Sequence, residues 1–208
     1  MLTLLPDELL LKIFGYLSSY QIMKTIAFVC KDFYRLSQES SLFTNIYLGP
    51  KMNKSCEEYS NEVLSRSSHL NKLILEEIEN ADHIIYTLNQ SWSKLTYLEI
   101  IQCHISEECF DILIQSVPKI QHLSLRGTCI RQKMRNLTKL DHLKYLNLSG
   151  YNYKFDSTDL TNLAYNCKKL ANLKIDWVCM YTTRTNIFTY HTLIFSCVGG
   201  AGGGPSSE

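Results

Sequence analysis

One apolar pattern, L-x-x-L-x-L with occasional Ile or Phe, recurs along most of this chain and constrains its fold more than any other feature. It begins at residues 43, 70, 95, 120, 143 and 170, at intervals of 27, 25, 25, 23 and 27 residues. Its last two apolar positions lie two residues apart, and they predict a strand because such residues share one face of a strand. A single short strand cannot bury that face alone, so we expect consecutive copies to stack side by side.

Small polar residues precede apolar residues at helical spacing in three of the intervals. The predicted helices follow Asn80, Ser106 and Ser157, and residues of these types are typical N-caps. Each unit is therefore predicted to run from strand to turn to helix and back. Units of this kind bury their apolar faces against their neighbours and so form a solenoid.

The copy at Leu95 fits the leucine-rich-repeat template L-x-x-L-x-L-x-x-N/C-x-L at every fixed position, including Cys103 and Ile105. The other copies keep the L-x-x-L-x-L core but not the full ending. The set resembles the leucine-rich-repeat proteins. This resemblance implies an α/β solenoid, a short horseshoe with parallel strands on its concave face, and it places about five to six repeats in residues 43–180.

The first 48 residues carry a different, helical pattern. Pro6 suits the first turn of a helix, and apolar residues then recur at helical spacing. Ser18-Ser19 provides a cap for a second helix, and a third short helix is expected around Phe33. We expect three short helices that present apolar residues on more than one face, which is typical of a docking unit rather than a closed bundle. The apolar residues of the first helix are Leu9, Leu10, Ile13, Phe14 and Leu17.

The order and spacing of several short motifs in residues 1–48 resemble the F-box. The motifs are Leu5-Pro6-x-Glu8, the apolar run to Leu17, Val29-Cys30-Lys31-x-Phe33 and Leu42-Phe43. With the repeats, they make the chain similar to the F-box/leucine-rich-repeat proteins. Phe33 and Phe43 stand where that family usually has Trp, which keeps an aromatic ring but loses area and the indole N–H donor.

The resemblance implies a receptor that binds the Skp-family adaptor of a cullin-RING ubiquitin ligase and presents a protein substrate for ubiquitylation and degradation. The expected adaptor-binding residues are Leu5, Pro6, Leu9, Leu10, Ile13 and Val29. Strand alternation places large or charged side chains on the face opposite the core, and these are the candidates for substrate binding: Tyr97, Ile101, His122, Arg126, Tyr145 and Lys174. The cationic members suit an acidic or phosphorylated peptide. The alternative is that they are ordinary solvated strand residues, since this face carries charges of both signs.

Composition narrows the classes of function. The 208 residues carry a formal net charge of +1 without a basic stripe, so no nucleic-acid partner is expected. No apolar stretch is long enough to span a membrane, and the charged residues Asp7, Glu8 and Lys12 interrupt any signal-peptide pattern. The eight cysteines form no C-x-x-C pair. We therefore expect reduced thiols and a cytoplasmic and/or nuclear location.

No catalytic or metal-binding motif is present, so we expect no cofactor, no metal and no enzymatic activity. Two alternatives to the receptor remain. One is a leucine-rich-repeat scaffold that binds a protein without recruiting a ligase. The other is a truncated, dominant-negative receptor that engages the adaptor without holding substrate. Beyond the repeats, residues 181–208 are predicted to be an irregular segment with a Gly/Ser-rich flexible tail.

Overall fold

The structure, a computed structural model, describes residues 5–50, 56–87, 92–128, 134–150, 157–178 and 190–196. Its helices are α1 (Asp7–Phe14), α2 (Ser19–Lys24), α3 (Lys31–Leu36), α4 (Cys56–Ser65), α5 (Asp82–Thr87), α6 (Glu107–Ser116) and α7 (Ser157–Asn166). Its strands are β1 (Asn45–Leu48), β2 (Lys72–Glu76), β3 (Tyr97–Ile101), β4 (His122–Ser124), β5 (Tyr145–Asn147), β6 (Asn172–Val178) and β7 (Tyr190–Ser196). Short 3-10 segments lie at Ile26–Phe28, Ser40–Phe43, Trp92–Lys94 and Met134–Lys139.

The strands form one sheet in chain order, with β1 to β6 parallel. This arrangement confirms the predicted parallel sheet of leucine-rich repeats. Equivalent repeat positions lie opposite each other, so that Lys72 pairs with Tyr97, Tyr97 with His122, and His122 with Tyr145. The sheet therefore presents rows of side chains, one from each repeat.

The apolar repeat positions form one continuous core. Leu73, Leu98, Leu123 and Leu146 on neighbouring strands are fully buried, and helix residues such as Phe110 pack into the same cluster. The helix predicted after Ser106 is confirmed, since the Ser106 hydroxyl accepts a hydrogen bond from the N–H of Cys109 at 3.3 Å. Burial of these side chains is the main stabilising contribution to the repeat region.

The turn that follows each of the strands β2 to β5 places one residue in the left-handed region. These residues are Glu77, Gln102, Gly127 and Gly150, with φ of 53°, 52°, 65° and 87°. The N–H groups of the first three donate to carbonyls of the next repeat at 2.8–2.9 Å. The hydrogen-bond ladder thus continues past the strand ends and fixes the spacing of the turns.

The segment predicted to be irregular contains a strand, which corrects that prediction. Strand β7 pairs antiparallel with β6 along seven residues. Its sequence is rich in aromatic and β-branched residues, which favour strands, but it lacks the repeat pattern because it runs in the opposite direction. Residues 179–189 and the Gly/Ser-rich stretch at 197–208 lie outside the described residues.

Candidate functional site

Helix α1 has a buried face and an exposed face. Leu10 and Phe14 pack with Phe33 and Leu36 of α3 in a small cluster. The rings of Phe14 and Phe33 meet edge to face, with centroids 5.0 Å apart, which is a favoured aromatic geometry. Phe33, one of the two positions where the family that the sequence resembles usually has Trp, is therefore a core residue in this chain.

The predicted adaptor-binding residues divide between the two faces of α1 and its neighbours. Leu9 and Ile13 are 45% and 43% exposed, and Val29 is 59% exposed. Pro6 is also exposed, and Leu5 is half-buried. Leu10, which is predicted to contact the adaptor with the others, is instead buried, since its side chain is 3% exposed. Consecutive side chains of a helix point in directions about 100° apart. Leu10 therefore points toward α3, while Leu9 points toward solvent.

Further apolar side chains that sequence reasoning missed are exposed in the same unit. Tyr16 follows Ile13 by three residues and extends the exposed row of α1, while Phe28 lies in the 3-10 segment next to Val29 and is 80% exposed. Helical spacing from Leu9 could have indicated Tyr16, whereas no signal indicated Phe28. We call these residues, with Tyr34, the exposed N-terminal set: Leu9, Ile13, Tyr16, Phe28, Val29 and Tyr34.

Four of the six members of the exposed N-terminal set, those other than its two tyrosines, differ in chemistry from the exposed apolar residues elsewhere. Among the described residues of the repeats, the large hydrophobic side chains that are exposed are tyrosines, namely Tyr47, Tyr86 and Tyr165. A tyrosine carries a hydroxyl that water can solvate, but Leu, Ile, Val and Phe do not. Exposed side chains of the latter kind concentrated in one short unit are typical of a protein-binding surface.

Helix α2 fixes this unit to the repeats. Ser18 caps the helix as predicted, since its hydroxyl accepts the N–H of Gln21 at 3.2 Å. Ile22 and Met23 belong to the continuous core of the repeats. Ser19 and Tyr59 of α4 share a buried hydrogen bond of 3.0 Å between their hydroxyls.

A second connection lies at the end of the helical unit. Phe43 is fully buried in the repeat core, and the Arg66 guanidinium lies 5.8 Å from its ring centroid. Arg66 also donates to the Ser37 carbonyl at 3.5 Å and to the Glu62 carboxylate at 2.7 Å. The helical unit is therefore packed firmly onto the first repeat while its exposed set faces solvent.

The face of the sheet opposite the core carries a column of stacked rings. The His122 imidazole lies between Tyr97 and Tyr145, with centroid distances of 3.9 and 4.1 Å and interplanar angles of 7° and 3°. The Lys72 ammonium lies 4.2 Å from the Tyr97 centroid, and that of Lys174 lies 5.7 Å from the Tyr145 centroid. These cation–π contacts cover both ends of the column. We call the three stacked rings of Tyr97, His122 and Tyr145 the ring ladder.

Glu99 connects two rungs of the ring ladder. Its Oε1 accepts a hydrogen bond from the Tyr97 hydroxyl and lies 3.1 Å from His122 Nε2. Burial and this hydrogen bond raise the pKa of Tyr97 to about 12. Burial lowers the pKa of His122, and Glu99 opposes that shift only in part. The imidazole is accordingly neutral near pH 7, with Nε2 donating to the carboxylate.

The structure brings together four of the six predicted substrate-binding residues. Tyr97, His122 and Tyr145 form the ring ladder and Lys174 covers one end. Ile101 is half-buried at the end of β3, and Arg126 is exposed two residues after β4. Lys72 and Glu99 are further members of the site. Strand alternation predicts that Lys72 and Glu99 lie on this face. Because the register between neighbouring strands is constant, it could also have indicated that they lie next to the rings.

The described residues hold no group of three or more His, Cys, Asp or Glu side chains arranged to bind a metal ion. Burial raises the pKa of Cys109 to about 12 and that of Cys167 to about 11, so both thiols are protonated at neutral pH. In the part of the chain that the structure describes, every helix is too short or too polar to cross a bilayer.

Comparison with known proteins identifies two parts of the molecule. The family model described as F-box-like matches residues 2–49. The fold resembles an internalin from Listeria monocytogenes, with a TM-score of 0.50 and 18% sequence identity over 76% of this chain; this match spans 42% of the internalin chain. The tropomodulin C-terminal domain of Caenorhabditis elegans matches 61% of this chain and 83% of its own, with 12% identity and a TM-score of 0.47. The chain thus joins an F-box-like segment to a leucine-rich-repeat fold.

Proposed function

We propose that this protein is the substrate-recognition subunit of a cullin-RING ubiquitin ligase. The helical unit docks the Skp-family adaptor, and the repeats, curved into a horseshoe, hold a protein substrate. The observation that carries the proposal is the exposed N-terminal set, which lies within the F-box-like residues 2–49. Within the F-box/leucine-rich-repeat family, the first helix and the repeats most resemble the S-phase kinase-associated F-box protein, which suggests a role in the cell cycle.

Adaptor docking uses the side chains that face solvent on α1 and around the end of the 3-10 segment Ile26–Phe28. Leu9, Ile13 and Val29 supply apolar area, with Pro6 and Leu5 at the start of the helix. Burying such side chains against a partner contributes roughly 25 cal/mol for each Å² removed from water. Leu10 supports this surface from below by holding α1 against α3.

The substrate surface is the ring ladder with its flanking cations. Tyrosine side chains contribute a large contact area at little entropic cost and commonly anchor interfaces. Lys174 at one end and Arg126 beyond β4 suit an acidic or phosphorylated peptide. The chain itself performs no chemistry. It raises the effective concentration of a substrate lysine near a ubiquitin-loaded enzyme elsewhere in the assembly, in the cytoplasm and/or the nucleus.

The test is a pull-down of purified adaptor by wild type and by a Leu9→Ala/Ile13→Ala variant. We expect the variant to lose at least about tenfold in affinity, since two apolar contacts are removed. A Tyr86→Ala/Tyr165→Ala variant, which changes exposed residues of the repeats, serves as the matched control and should bind as wild type does. Equal binding by all three proteins, or none by any, contradicts the proposal.

The second candidate is a leucine-rich-repeat scaffold that recruits no ligase, and the third is a dominant-negative receptor. The absence of the usual tryptophans favours the scaffold. Phe33 and Phe43 are both buried, however, so the replacement alters internal packing rather than the exposed set. Reconstituted ubiquitylation of a protein bound by the repeats distinguishes the three. A receptor transfers ubiquitin, a dominant-negative form binds only the adaptor, and a scaffold binds only its partner.

A further inference from the structure

The turns that precede strands β2 to β6 share one geometry. In each turn an N–H group donates to the carbonyl three residues earlier, at 2.9–3.3 Å. The residue before each of these donors consequently occupies the same place in every repeat. In all five turns it is exposed and either basic or an imidazole, and we call this set the turn ridge: His69, Lys94, Lys119, His142 and Lys169.

Contacts between neighbouring turns show that the side chains of the ridge converge. Lys94 Nζ lies 2.6 Å from His69 Nδ1, and Lys169 Nζ lies 3.1 Å from His142 Nδ1. An ammonium group can only donate, so each imidazole nitrogen accepts. Neither contact pairs a lysine with a carboxylate.

The two ends of strands β2 and β3 carry opposite charge. Beside the turn ridge, Lys144 and Lys168 are also exposed, and Asp141 is the acidic residue within the five turns. None of the ridge lysines forms an ion pair with a carboxylate among the described residues. Arg126 follows β4, whereas acidic residues lie at or after the opposite ends of β2 and β3: Glu76, Glu77, Glu79, Asp82, Glu107 and Glu108. The net charge of +1 conceals this polarity.

We propose that the turn ridge binds an acidic polypeptide segment, at a surface separate from the ring ladder and from the exposed N-terminal set. Adjacent strands lie about 4.8 Å apart, so five turns extend over roughly 20 Å, the length of about six extended residues. No ridge residue is Phe, Tyr or Trp. Tyr165, whose ring centroid lies 5.9 Å from Lys168 Nζ beside the ridge, is a single exposed ring rather than the row of rings on which bases stack in typical single-strand sites. The acidic residues after β2 and β3 also repel a longer polyanion. A short acidic stretch of protein matches both the length and the charge of the ridge.

Fluorescence anisotropy of a labelled decaglutamate peptide, titrated with the full chain at low ionic strength, tests this proposal. A Lys94→Gln/Lys119→Gln/Lys169→Gln variant should bind about tenfold more weakly. Each exposed charge pair contributes only a part of the binding free energy that a tenfold change in affinity represents, so three substitutions are combined. Lys12→Gln/Lys31→Gln/Lys139→Gln changes three exposed lysines outside the turns. This control makes the same change in net charge and should bind the peptide as wild type does. Circular dichroism melting verifies that both variants fold.

Three outcomes would overturn the proposal. They are no binding of decaglutamate by wild type, equal weakening in the two variants, and tighter binding of a decauridylate RNA than of the peptide. The last outcome would assign the ridge to nucleic acid. Adaptor binding, measured on the Lys94→Gln/Lys119→Gln/Lys169→Gln variant, should be unchanged, so a failure here is distinguishable from a failure of the proposed ligase function.

Discussion

The helical unit and the repeats use apolar side chains in different ways. In the repeats, the residues that match the template are almost completely buried in one core, except Leu170 and Leu173 of the last copy, which are partly buried. In the helical unit, a small cluster around Phe14 is buried while Leu9, Ile13 and Phe28 face solvent. Apolar sequence in the repeats therefore serves the fold, whereas apolar sequence in the helical unit serves both the fold and a partner.

The largest expected difference in stability is between alanine variants of two phenylalanines in the helical unit. Phe43→Ala should lower the free energy of unfolding by about 3–5 kcal/mol, because its ring is fully buried where the unit meets the repeats. Phe28→Ala, at a position 80% exposed, should change it by less than about 0.5 kcal/mol. Chemical denaturation measures both. Similar losses in the two variants would show that the division between core and surface is misplaced.

Adjacent leucines of α1 test the same division within one helix. Leu10→Ala should cost about 2–4 kcal/mol, since Leu10 packs against Phe33 and Leu36 of α3. Leu9→Ala should leave stability unchanged within about 0.5 kcal/mol and weaken adaptor binding. Denaturation and the pull-down together check the pair. Loss of stability in Leu9→Ala would mean that the exposed set contributes to the fold.

Glycine-to-alanine substitution should have opposite signs in the two regions. Gly127→Ala should cost about 1–2 kcal/mol because φ is 65° and the new Cβ would meet the Gln102 side chain at 3.0 Å. Gly15→Ala, at φ of −61° with ordinary contacts, should stabilise the protein by about 0.5 kcal/mol. Thermal melts of the two variants compare them. A stabilising Gly127→Ala would contradict the left-handed turn.

The smallest expected effect is a pH dependence confined to the repeats. Burial lowers the pKa of His122 in the folded protein, so the unfolded chain binds more protons below the ordinary value of about 6.5. Stability should accordingly fall as the pH drops from 7 to 5. His122→Phe, which keeps a ring in the stack, should flatten that slope, whereas His104→Gln at an exposed position should not. If stability depends on pH in His122→Phe as steeply as in wild type, the dependence arises from other groups.

The sequence was sufficient to predict the repeats because their signal is periodic. Leu73, Leu98 and Leu123 occupy equivalent positions, and a shift by one residue would expose them all. The candidate site was partly predictable for the same reason. Alternation places Tyr97, His122 and Tyr145 on one face, but their stacking depends on the register between strands, which is a tertiary property.

Other elements could not be predicted because their signals are weak or ambiguous. Helix α4 is polar apart from a few residues such as Tyr59 and Val63, and it forms because those few enter the repeat core. Strand β7 matches no repeat, since it pairs antiparallel with β6. In α1, Leu9 and Leu10 are chemically identical, so only the position of α3 decides which one is buried.

Separation of the buried residues into two clusters has a consequence for local unfolding. Helices α1 and α3 share a cluster of four buried side chains, whereas α2 contributes Ile22 and Met23 to the large core. Cooperative opening follows shared cores rather than chain order. Amide hydrogens of α1 and α3 should therefore exchange together and early, while those of α2, which lies between them in the chain, should exchange with the repeats.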